Sequence, residues 1–219
     1  MRDAFNESLA DVRRRLLEMV NLVQVAVNDA TESLLEADGE KAEQVIANDA
    51  KLDQLREELE DECYELLTLQ SPVATDLRTL ISAMKMAGEL ERMGDLAVHV
   101  AKVARMRLPE RAVPTKLESI LARMASIAEL MVGKVGQIIE DNDVQSAREL
   151  DEIDEQIDKL RRKSFRELFK SDWKHGVEAA VDVALLSRYY ERIADHAVSV
   201  ASRLIFLVTG DLHPDLDQE

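Results

Sequence analysis

Apolar residues recur every three or four positions almost from end to end of the chain, the period of helices that bury one stripe. The interruptions are few. Asp38-Gly39 is a turn dipeptide. Pro72, after Ser71, cannot continue the helix before it. The stretch 109–114 is bounded by prolines, Asn142-Asp143 resembles the first turn, residues 172–176 form another break, and Gly210 closes the last run. These breaks predict six helices over 4–37, 40–70, 75–107, 114–141, 144–171 and 176–208, each roughly 40–50 Å long at 1.5 Å per residue. Connections this short make sequential helices antiparallel.

The two halves repeat one another. Glu91-Arg92-Met93-Gly94-Asp95-Leu96-Ala97-Val98-His99-Val100-Ala101 returns as Glu191-Arg192-Ile193-Ala194-Asp195-His196-Ala197-Val198-Ser199-Val200-Ala201, with seven of eleven positions identical. One helix earlier, Asp49-Ala50-Lys51-Leu52-Asp53-Gln54-Leu55 returns as Asp154-Glu155-Gln156-Ile157-Asp158-Lys159-Leu160. The first pair is offset by 100 and the second by 105, so the second half lacks five residues near the turn between its last two helices. Repeats dictate architecture. The expectation is an all-α fold of two tandem three-helix bundles, at 1–108 and 114–209, with an acidic, disordered tail at 210–219.

Stepping by sevens along the third helix gives Leu77, Met84, Glu91 and Val98; along the sixth it gives Val177, Ala184, Glu191, Val198 and Ile205. A glutamate interrupts each apolar seam. Asp95 and Asp195 follow one turn later on the same side. Two like charges at that spacing cost a few tenths of a kcal/mol when exposed, and far more where neighbours exclude water. Asp49 and Asp53, and likewise Asp154 and Asp158, flank the seams of the preceding helices. Antiparallel packing then brings four carboxylates together in each bundle, as helix bundles build metal sites. An all-oxygen site favours Mg, Mn or Fe, with Zn less typical. Ion pairing with Arg92 and Arg192 is the competing reading.

Composition narrows the picture. The 219 residues carry 28 Lys and Arg against 44 Asp and Glu, a net charge of −16, which repels phosphate backbones and excludes nucleic acid as a partner. The single Cys63 cannot form an internal disulfide and is read as a packed thiol. The first 15 residues lack the apolar core of a signal peptide, and no apolar run approaches the roughly 20 residues that span a bilayer. A cytoplasmic location is expected, with membrane contact only through partners. Met84, Met86 and Met93 are core filler, and Trp173 is an anchor between the bundles. His99 and His196 face Ser199 and Leu96 in the other repeat, which weakens either as a ligand. No nucleophile elbow, phosphate loop or Glu-x-x-His pair is present, so no enzyme is expected.

Two repeats with Glu-Arg-x-x-x-Asp, each preceded by Asp-x-x-x-Asp, resemble the PhoU family of phosphate-uptake regulators over about residues 3–208. The segment Pro72-Val73-Ala74-Thr75-Asp76-Leu77-Arg78 is similar to that family too. The resemblance implies a cytoplasmic negative regulator of phosphate uptake and of the phosphate-starvation response. It implies an adaptor between the ATPase subunit of a phosphate ABC transporter and a phosphate-sensing histidine kinase. It also implies metal ions (Fe, Mn, Mg or Zn) at Glu91, Asp95, Glu191 and Asp195, with Asp49, Asp53, Asp154 and Asp158 as counterparts. Lys174 to Glu178 replace the Asp-Leu-Arg segment in the second half, which confines any partner role of that segment to Asp76 and Arg78. A homodimer is compatible with this reading. A metal-dependent hydrolase or oxidase using the same carboxylates, and a metal-free structural adaptor, stay open.

Overall fold

A computed structural model describes residues 2–211. Its helices are α1 (Arg2–Glu36), α2 (Gly39–Gln70), α3 (Thr75–Arg107), α4 (Thr115–Asp141), α5 (Val144–Leu168) and α6 (Gly176–Thr209). Among the described residues there is no strand, and no helix is long and apolar enough to cross a membrane. Of the tail expected at 210–219, residues 212–219 lie outside the described residues.

The caps repeat as the motifs do. Asp38 Oδ1 accepts the Lys41 amide at 3.0 Å. Asp143, 105 positions on, accepts the amides of Gln145 and Ser146 at 2.9 and 3.1 Å. Each aspartate satisfies donors that a helix start leaves unpaired. At the other end of α6, Gly210 sits at φ 79°, and its amide donates to the Phe206 carbonyl at 2.9 Å. Helix α5 stops three residues before the expected 171. The Lys170 amide turns back to the Glu167 carbonyl, and α5, with 25 residues against 32 in α2, accounts for the shorter second repeat despite a longer connection to α6.

Helices α1, α2 and α3 pack on one another, as do α4, α5 and α6. The halves then join through α3 against α6 and α1 against α4, and one continuous core runs through all six helices. That leaves α2 and α5 on opposite edges, each touching only its own half. Small residues open the way for close packing: Ala83, Ala87, Ala97, Ala101, Ala194 and Ala197 are all buried. Met86 and Met93 fill the core as expected. Trp173 does not bridge the halves. Its Nε1 donates to the Gly176 carbonyl at 2.8 Å and its ring meets His175 edge-on, so it anchors its own turn.

Two polar pairs tie α3 to α6, one part-buried and one buried. Arg107 grips Asp182 with two hydrogen bonds, Nε to Oδ2 at 2.6 Å and Nη2 to Oδ1 at 3.0 Å, and also reaches Glu178. Near the middle of both helices, His196 Nδ1 lies 2.7 Å from Glu89 Oε2.

Candidate functional site

The first acidic cluster lies where α2 crosses α3. Gly94 permits the approach: a Cβ there would stand 2.3 Å from Leu52 Cδ2 and 3.7 Å from Asp49 Oδ1. Burial pushes the Asp49 carboxyl above its ordinary value, and the charges of Asp53 and Asp95 push it further, against Lys102. Glu91 is raised by burial and then by Asp95, with Arg56 opposing and Asp53 adding. Among the described residues, none of Asp49, Asp53, Glu91 and Asp95 forms an ion pair or a hydrogen bond through its carboxylate. They face one another without a counter-charge in contact.

The second cluster is arranged likewise between α5 and α6 but is more deeply set. The Asp154 carboxyl is pushed up to about 7, first by burial, then by Asp195, Asp158, Glu191 and Asp151. Its Oδ1 is buried and has no hydrogen-bond partner. Glu191, 5% exposed, is raised by burial and by Asp195 while Arg188 and Arg161 oppose. Both arginines touch it: Arg161 Nε lies 3.3 Å from Oε1, and Arg188 pairs with Oε2. Arg188 extends to Asp195 at 3.8 Å, and Arg162 holds Asp158 at 3.2 Å. Burial raises Asp195 too, against Arg188 and His196.

All eight expected carboxylates therefore fall in two groups of four, each on the expected pair of helices. Among the described residues, no three carboxylate, thiol or imidazole groups stand close enough to ligate one ion as they are. The donor set is all oxygen, which suits hard cations, and the orphaned Asp154 Oδ1 is a buried acceptor that a cation would satisfy.

Arg56 and Arg161, two turns beyond the first aspartate of each helix, were legible as Asp-x-x-x-Asp-x-x-Arg at the same 105 offset. Arg188 was not, because Gly88 stands in its place in the first repeat. His196 is spoken for by Glu89, and the exposed His99 ring stacks on Tyr189 at 5.3 Å. Leu77 and Val177, read as seam positions, are exposed in the first turns of α3 and α6. Asp76 is exposed at the start of α3, about 22 Å along the helix from Glu91. Arg78 lies against the end of α6, its Nη1 3.3 Å from where a Gly210 Cβ would stand. Cys63 is fully buried, and burial pushes its thiol up to about 12, far from the reactive range.

Residues 16–104 and 121–204 match the family described as PhoU domain. Over 210 residues the chain is 45% identical to the phosphate-specific transport system accessory protein PhoU homolog 2 of Mycobacterium tuberculosis, covering 96% of this chain and 99% of that protein. The fold is similar to the crystal structure of PhoU from Pseudomonas aeruginosa, with a TM-score of 0.88, 32% identity, and 94% and 100% of the two chains covered. It is also similar to that of the phosphate transport system regulatory protein PhoU from Streptococcus pneumoniae, with a TM-score of 0.86, 27% identity, and coverage of 95% and 99%.

Proposed function

Since the chain belongs to the PhoU domain family, we propose that it is a non-catalytic accessory regulator of phosphate-specific transport, one that restrains uptake and the phosphate-starvation response when phosphate is plentiful. The observation that carries this reading is full-length likeness to a named transport accessory protein. In this role the chain is an adaptor in the cytoplasm, touching the transporter's ATPase subunit and a phosphate-sensing histidine kinase. Two rigid three-helix bundles present long faces to two partners at once, and charge asymmetry steers such encounters. Each acidic cluster holds a cation through Asp49, Asp53, Glu91 and Asp95, or through Asp154, Asp158, Glu191 and Asp195. The raised carboxyls and the unsatisfied Asp154 Oδ1 support that assignment, because a cation offsets the cost of burying these charges and the repulsion among them, the two causes that raise them.

A deletion strain tests the regulatory role. Relatives numbered homolog 1 and homolog 2 occur together in Mycobacterium tuberculosis, so the strain must lack every copy. In phosphate-rich medium it is expected to keep starvation genes on and uptake unrestrained, and this chain restores repression when supplied. Normal repression in that strain would contradict the reading.

A further inference from the structure

The charge balance of the chain conceals a local reversal. Residues 159–174 carry seven basic and two acidic residues; the equivalent stretch of the first half, 54–69, carries one basic and six acidic. Two helices in matching positions thus present faces of opposite sign. On α5, Arg161, Arg162, Phe165 and Arg166, with Phe169 just beyond its end, line a shallow groove of about 480 Å³. The Phe165 and Phe169 rings are 6.4 Å apart, the Arg161 guanidinium lies 5.9 Å over Phe165, and Phe169 is 83% exposed. Arg166 has no carboxylate partner among the described residues; its Nε donates to the Arg162 carbonyl. On α6, Val177, Val181 and Leu185 are exposed at four-residue spacing, one stripe that ends at Arg188. Arg161 and Arg188 both hold Glu191, so aromatic groove and apolar stripe meet at one pair of arginines.

We infer that this α5–α6 face is a docking surface for an acidic, leucine-bearing segment of a partner protein. An exposed Phe169 beside a half-buried Phe165, ringed by arginines, matches the composition of interface hot spots. Guanidinium forks pair with carboxylates in a fixed geometry, and the contacting Phe165 and Phe169 rings offer an apolar platform to a leucine side chain. An anionic bilayer fits less well. The face is a groove and not a projecting tip, Glu167 and Asp172 interleave its cations, and the remaining surface repels such a bilayer. A second copy also fits less well. Arg15 already holds Glu58 and Glu62 on the acidic α2, and α2 and α5 lie on opposite edges, so their contact would propagate without closing. The assignment rests on the adaptor reading by giving one partner its face. It is tested on the purified full chain, so its failure leaves the regulatory reading to the deletion strain.

The probe is a labelled amphipathic peptide of about five helical turns, leucine on one face and glutamate on the other, beside its glutamine twin. Fluorescence anisotropy is expected to show saturable binding to the wild type with a Kd of about 10 µM, weakened by salt and absent for the twin. Arg166→Glu with Phe169→Ser is expected to weaken binding at least about tenfold at unchanged circular dichroism, since both side chains are exposed. Glu57→Arg with Asp61→Arg, on exposed positions of α2, leaves it unchanged. No saturable binding, or equal affinity in the α5 variant, overturns the proposal. So does binding to phosphatidylcholine–phosphatidylglycerol vesicles, or self-association in sedimentation, that the α5 variant abolishes while the peptide does not bind.

Discussion

Asp154→Asn is expected to stabilise the metal-free protein at neutral and alkaline pH while removing the share of metal stabilisation that comes from the second cluster. The Asp154 carboxyl titrates at about 7 in the fold and at 3.8 as an ordinary aspartate. Between those values the folded chain holds a proton that the unfolded chain has released. Stability therefore falls as pH rises from about 4 through 7, at up to 1.36 kcal/mol per unit for such a group. Asp154 retains some contact with solvent, which reduces the total to on the order of 2 kcal/mol. Asparagine removes the charge and with it this loss. Its advantage is absent near pH 3, grows through the interval and is complete above pH 7. It is expected to reach a Tm gain of about 4–8 °C for a chain of this size. Calorimetry with chelator, across pH, measures it. With Mn²⁺ at about 100 times its Kd, each occupied cluster adds about 2.7 kcal/mol, so the variant is expected to gain about half of what the wild type gains. A variant less stable than wild type at pH 8 in chelator would show that burial and repulsion do not act on this carboxylate as described.

Arg107→Leu is expected to be the costlier change away from the acidic clusters. It strands Asp182, 3% exposed, without the bidentate partner that compensates its burial. Removing the guanidinium leaves the Asp182 charge uncompensated, and a fall in Tm of several degrees is expected. The double variant Arg107→Leu with Asp182→Leu is expected to recover most of that, because no uncompensated charge remains. Urea unfolding of the two singles and the double resolves the coupling. If the double is as unstable as Arg107→Leu, the cost comes from lost packing and not from a stranded carboxylate.

The helices were legible because their ends carry chemistry that sequence shows directly. Asp38 and Asp143 cap, Pro72 blocks continuation, and Gly210 takes the left-handed turn. The end of α5 was not, since Leu168, Phe169 and Lys170 continue the helical pattern and only the Trp173 turn stops it. The eight carboxylates were legible from repetition: one Glu-Arg-x-x-x-Asp has many explanations, whereas two in register leave few. Repetition also marks what it misses. Arg188 and Asp151 stand opposite Gly88 and Ile46, so the arginine clamp and the extra acid of the second cluster have no echo in the first. The pairing of Glu89 with His196 joins residues 107 positions apart and matches Tyr189 and Leu96 in the other repeat, so neither periodicity nor internal symmetry announces it. The sign reversal between α2 and α5 was present in the sequence but averaged away in a net charge of −16.

The two clusters differ in a way that bears on metal. Glu191 already has two arginine partners, and Glu91 has none. A cation entering the second site must displace guanidinium groups, whereas the first site has only its own repulsion to relieve. On the proposed assignment, the first cluster is expected to be the tighter site.

Elemental analysis of the protein, purified without chelator or a nickel column, beside Glu91→Ala with Glu191→Ala, tests the central claim most directly. The account predicts stoichiometric Fe, Mn, Mg or Zn in the wild type and its loss from the double variant, at unchanged helix content. Equal metal in both, or none in either, would contradict it and return the eight carboxylates to the role of surface and ion-pairing groups.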